Sequence, residues 1–186
     1  SRVVAPTGPG LGVDVGGASA VLVFGGDFPA NTTAIRVGNT TGPGMVNQTN
    51  GSVSFSGGDQ LALGNGNSGS GNGTYNLSGG TLSTATVVNR GIILGANPFG
   101  IGTFNLSGSG TLTMAGSVLQ IARCESGIGV SHDPDTTGIF NQSGGTATVG
   151  DLRMGGSFPE QFNTQAQLNL SGGTFLSWDG ASATMH

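Results

Sequence analysis

The densest group of residues able to do chemistry is Glu125 with His132-Asp133-Pro134-Asp135. Oxygen ligands from Glu125, Asp133 and Asp135 would suit Ca²⁺, and His132 would favour a transition metal. The same residues also make an ordinary solvated Asp-Pro-Asp turn. The turn is the preferred reading, so no metal and no cofactor is expected. Gly-Gly-Asp occurs at 25–27 and 57–59, but without the GGxGxDxUx pattern of calcium-binding solenoids. The remaining acids, Asp14, Asp27, Asp59, Asp151, Glu160 and Asp179, do not recur at one place in neighbouring segments. A polysaccharide-cleaving cleft would need such convergence, so an enzyme is not expected. Asp151 and Arg153 alternate on one short segment and read as a surface ion pair. The single Cys124 excludes an internal disulfide framework, and Trp178 is expected to cover the last coil.

Asparagine is the other residue type with chemical potential. Asn47, Asn76, Asn105, Asn141 and Asn169 each open an N-x-[Ser/Thr] triplet, at spacings of 29, 29, 36 and 28 residues. Asn31, Asn39, Asn50 and Asn72 add four more triplets outside that register. All nine are potential glycan acceptors. In one stacked column, however, Asn residues would lie about 4.8 Å apart, too close for neighbouring glycans. A ladder of amides, each donating to one neighbour and accepting from the other, explains the regular five. For the irregular four, glycosylation stays open. Strict alternation points the Asn side chains outward, while Gln48 and Gln142, at the position of Leu77, suggest a corner where the pleat fails.

The elements that must position these residues are short and repetitive. GTYNLSGGTL at 73–82 returns as GTFNLSGSGTL at 102–112, GIFNQSGGTA at 138–147 and AQLNLSGGTF at 166–175. Each Asn follows an apolar residue: Val46, Tyr75, Phe104, Phe140 or Leu168. These five are expected to stack inside. A second motif lies between the phrases: Ile35-Arg36-Val37-Gly38, Leu61-Ala62-Leu63-Gly64, Ile92-Ile93-Leu94-Gly95, Leu119-Gln120-Ile121-Ala122 and Leu152-Arg153-Met154-Gly155. Outer apolar positions, a variable middle and a small closing residue describe a strand with alternate side chains buried before a tight corner. Helical periodicity is missing. The period predicts an all-β fold, a parallel β-helix (β-solenoid), right-handed and three-sided, with about 29 residues per coil. Propeller blades are longer than this repeat, and a hexapeptide helix would show a six-residue beat. Residues 1–43 read as an N-terminal arm with an irregular first coil, and 44–186 as one continuous repeat domain. The 36-residue interval predicts a loop over 123–137.

Composition narrows the function classes. There are 38 Gly, 7 Pro and a net charge of −4, with enough alternating apolar residues to fold. Lysine is absent and the five Arg are dispersed, which argues against nucleic acid as a partner. No apolar run is long enough to cross a bilayer as a helix, so no membrane insertion is expected. The repeated phrase resembles the Gly-, Asn- and Ser-rich repeats of bacterial exported surface proteins, the autotransporter-associated β-strand repeats and PEP-CTERM-type proteins, over roughly 44–177. The resemblance implies an extracellular or cell-surface location and a role in attachment, stalks or matrix. It carries over no catalytic residue. Solenoid ends need caps, and none is evident in the sequence. The partner expected first is therefore another copy of the chain, stacked head to tail into a filament, with the arm Arg2-Val3-Val4-Ala5 adding a strand to its neighbour. A surface adhesin that binds polysaccharide through the 123–137 loop is the alternative, and a polysaccharide-degrading β-helix the third.

Overall fold

A computed structural model describes residues 13–15, 20–24, 35–38, 42–55, 61–64, 71–84, 91–96, 99–123, 136–155 and 164–177. Thirteen strands follow one another: β1 (Val13–Val15), β2 (Ala20–Phe24), β3 (Ile35–Val37), β4 (Gly44–Gln48), β5 (Ser52–Phe55), β6 (Leu61–Leu63) and β7 (Asn72–Leu77). The series continues with β8 (Thr81–Thr84), β9 (Gly91–Leu94), β10 (Ile101–Leu106), β11 (Thr111–Ile121), β12 (Thr136–Met154) and β13 (Thr164–Ser177). Every pairing is parallel, which a chain can achieve without crossover helices only by winding into stacked coils.

The coils form a β-solenoid with three sheet faces. The first face stacks β2, β4, β7, β10 and the opening parts of β12 and β13. The second stacks β5, β8, the first part of β11, the middle of β12 and the end of β13. The third stacks β1, β3, β6, β9, the second part of β11 and the end of β12. Pairing of β2 with β4 and of β3 with β6 carries the sheets across residue 43, so β1, β2 and β3 share the same solenoid. The long interval arises between Ala122 and Thr136, the corner from the third face to the next coil's first face, because register is regained at Ile101 opposite Thr137.

Side-chain alternation fills the interior. On the first face the pattern in β7 and β10 is exposed, buried, half-buried, buried, half-buried, buried. Tyr75, Leu77, Leu82, Leu94, Phe104, Leu106, Leu112, Ile121 and Phe140 are all essentially inaccessible. The third face departs from simple alternation. Its middle residues Ala62 and Ile93 are buried too, and form a second cluster with Ala96 on the outer side of the sheet. Strands covered on both sides read as unbroken apolar runs, which is why Leu61–Leu63 and Gly91–Leu94 lack a polar beat.

The corners explain the small closing residues. Gly38, Gly64, Gly95 and Gly155 end the third-face strands at φ between 68° and 88°. In the fourth of these five coils Ala122 takes the same left-handed conformation, at φ 60°. Tight approach constrains another column. A Cβ on Gly73, Gly102 or Gly138 would collide with backbone atoms, the Val37 carbonyl, the Gly95 amide and the Ala122 amide respectively, so no side chain fits there.

Candidate functional site

The regular asparagines lie in one register column, Asn47, Asn76, Asn105, Asn141 and Asn169. They sit between inward-facing neighbours, so alternation turns them to the outer side of the first face. Each Nδ2 donates to the Oδ1 one coil earlier: Asn76 to Asn47 at 2.7 Å, Asn105 to Asn76 at 2.7 Å, Asn141 to Asn105 at 2.9 Å and Asn169 to Asn141 at 2.8 Å. Nδ2 is also the atom a glycan would take. Attachment at any of the last four would leave that nitrogen a single N–H and set a sugar about 4.8 Å from the next rung.

The column directly inside belongs to Val46, Tyr75, Phe104, Phe140 and Leu168, all in register. Tyr75 and Phe104 stack with centroids 5.3 Å apart at 7°, and Phe104 and Phe140 at 5.3 Å and 1°. Phe175 from the second face closes the pile edge-on against Phe140, at 5.9 Å and 78°. Leu168 is only partly buried, because it belongs to the last described coil.

The glutamines correct the expectation of a failed pleat. Gln48 and Gln142 are buried and point inward, in the column of Leu77. Their amides do the work of a turn. Gln48 Nε2 donates to the carbonyls of Gly51 at 3.1 Å and Thr81 at 3.0 Å, and Gln142 Nε2 to those of Gly145 at 3.3 Å and Thr174 at 2.9 Å. Tyr75 donates its hydroxyl to Gln48 Oε1 at 2.7 Å. The residue equivalent to Tyr75 beside Gln142 is Leu168, and Gln142 Oε1 is buried with no hydrogen-bond partner among the described residues. Burial raises the Tyr75 pKa well above its ordinary value.

The other sequence candidates fall as follows. Asn50 is exposed, and its Oδ1 accepts from the Gly51 amide at 2.8 Å, a local turn. Asn72 is exposed at the start of β7. Arg153 Nε donates to Asp151 Oδ2 at 2.7 Å on the outer side of the third face. Arg2, Val3, Val4, Ala5, Asn31, Asn39, Glu125, Asp133, Asp135, Cys124, His132 and Trp178 lie outside the described residues. Among the described residues no three His, Cys, Asp or Glu come together as a metal site, and no helix is long and apolar enough to cross a membrane.

One feature escaped the sequence reading. After the first corner of the three central coils comes a hydroxyl–apolar–hydroxyl triplet, Thr81-Leu82-Ser83, Thr111-Leu112-Thr113 and Thr146-Ala147-Thr148, in strand register on the second face, whereas the last described coil has Thr174-Phe175-Leu176 there. The apolar residue points in and is buried, so both hydroxyls point out. The signal was present as the Thr that follows the Gly-containing corner at 81, 111, 146 and 174. Comparison with protein families, characterised proteins and solved structures returned no match.

Proposed function

We propose that this chain is a non-enzymatic structural protein, a β-solenoid subunit that stacks head to tail into a filament or fibre at the cell exterior. The observation that carries this reading is the edge of β13. Among the described residues its strand pairs on one side only. Leu170 is 51% exposed although its column mates Leu77 and Leu106 are buried. Leu168 and Phe175 are likewise covered on one side alone. Such an edge with apolar side chains is a template for another chain. At the opposite end, β2 pairs only with β4 among the described residues, and its register puts Leu22 and Phe24 in the columns of Val46 and Gln48. Docking β13 onto β2 of a second copy would then continue the backbone register, with position 168 opposite 22 and 170 opposite 24. Completing the burial of each such side chain of β13 contributes about 1 kcal/mol, before the added strand hydrogen bonds. The exterior location rests on the resemblance of the repeat to exported surface proteins.

Light scattering and negative-stain imaging over a concentration series test the reading. Wild-type protein is expected to form rods that lengthen with concentration, and Leu170→Glu to stay monomeric with an unchanged β-sheet spectrum. A wild-type chain that stays monomeric throughout overturns it.

A further inference from the structure

The three outer faces differ in what they offer. On the first, the asparagine amides are occupied by one another, and Met45 and Ile139 interrupt the neighbouring column. On the third, Arg36, Asp151 and Arg153 carry charge. The second is neutral. Its central coils present Thr81 and Ser83, Thr111 and Thr113, and Thr146 and Thr148, flanked by Ser52 and Ser54 on one side and by Thr174 and the exposed Leu176 on the other. Among the described residues, the segments 52–54, 81–83, 111–113, 146–148 and 174–176 that form this face carry no charged residue, and their one aromatic, Phe175, packs inward against Phe140. Among the described residues, no hydrogen bond occupies the hydroxyls of the six central side chains.

The result is a rectangular grid. Rows repeat about 4.8 Å apart along the rod, and the two columns stand about 6.7 Å apart, two residues of extended chain. Threonine suits a rigid grid because its β-branch restricts χ1. Each Thr also presents a hydroxyl and a methyl side by side. The patch is about 19 Å by 10 Å, roughly 200 Å². A specific protein partner needs about 800 Å² on each side, so this face is too small for one. Crystalline polysaccharide is gripped by flat aromatic platforms. In the described residues the aromatic stack is turned inside instead. An ordered water lattice remains. It is uncharged, it meets hydroxyls with hydrogen bonds, and water oxygens on the faces of hexagonal ice repeat at spacings close to both grid dimensions. Charged side chains would hold hydration shells that do not fit that lattice, and this face has none.

We propose that the outer side of the second sheet is an ice-binding surface, with Thr111, Thr113, Thr146 and Thr148 at its centre. It belongs to a single subunit and does not depend on end-to-end stacking. Thermal hysteresis and the shape of ice crystals grown in the presence of the full chain test it. Wild-type protein is expected to facet the crystals and depress their growth temperature. Thr113→Tyr and, separately, Thr148→Tyr are expected to lose both effects, with circular dichroism and melting temperature retained. Thr103→Tyr, on the outer side of the first face, is expected to keep them. Unfaceted crystals with wild-type protein, or full activity in both folded tyrosine variants of the second face, overturn the proposal. Sedimentation with microcrystalline cellulose that is lost in Thr113→Tyr, without ice shaping, also overturns it and assigns the face to polysaccharide.

Discussion

Gln48 and Gln142 show how one polar residue can live in an apolar column. Each amide donates to two carbonyls at the corner, so the buried NH2 group is satisfied. Only Gln48 also receives a donor at its oxygen, from Tyr75. Leu168→Tyr should supply the missing hydroxyl to Gln142 Oε1 and extend the ring stack from Phe140. Chemical denaturation is expected to show a gain of about 1 kcal/mol, one hydrogen bond's net worth. Tyr75 gives a pH prediction. Its folded-state pKa is raised by burial, so the unfolded chain loses this proton first. Stability is therefore full below pH 10 and declines above it by up to about 1.4 kcal/mol per pH unit. The sequence has one Tyr and no Lys, so little else titrates in that window. Denaturation curves of Tyr75→Phe should lose the alkaline slope. At neutral pH they should show a loss of about 1–3 kcal/mol, because Gln48 Oε1 is left buried without a donor. The inward set of these glutamines was hidden in the sequence, since Gln at an apolar position explains itself only once the nearby carbonyls are located.

At the scale of strands and corners, most of the architecture was legible. The Asn spacing named the column and its coil length, and the closing Gly or Ala of the second motif named the corner. Both followed from local geometry that repeats in every coil. The double burial of Ala62 and Ile93 was not legible, because it needs strand register to bring Ala62 of one coil against Ile93 and Ala96 of the next. The hydroxyl grid on the second face was visible only as alternation, and gained meaning when strand register aligned three triplets side by side. Corner chemistry yields a paired prediction. Ala122 holds a left-handed φ that glycine occupies elsewhere. Relief of about 1–2 kcal/mol of strain should outweigh glycine's entropic penalty of about 0.5–1 kcal/mol. Ala122→Gly should thus raise the melting temperature slightly. Gly102→Ala should lower it sharply, since the new Cβ meets Gly95 N at 2.3 Å and Leu63 O at 2.6 Å. Thermal melts of the two variants measured together check both signs.

Among the described residues the solenoid is covered on both sides in its middle and on one side at its last coil. Of the described strands, β6 to β11 pair with strands above and below, whereas β13 and the third-face end of β12 pair on one side only. Hydrogen exchange should reflect that gradient: amides of β13 are expected to exchange fastest in dilute protein and to gain protection as rods form. Equal protection at all concentrations would contradict stacking through this edge. The asparagine ladder adds a further property. Backbone carbonyls point alternately up and down along each strand, so their dipoles largely cancel. The side-chain amides do not alternate, because every N–H in the ladder aims toward the N-terminal end and every C=O toward the C-terminal end. Aligned amides polarise one another, so the column acts as a small vector along the axis, with its positive end at Asn47 and its negative end at Asn169. Copies joined head to tail add these vectors, whereas copies joined tail to tail set two negative ends together. The rod therefore carries a direction, and a fibre built from it would orient in an electric field and grow with two unlike tips.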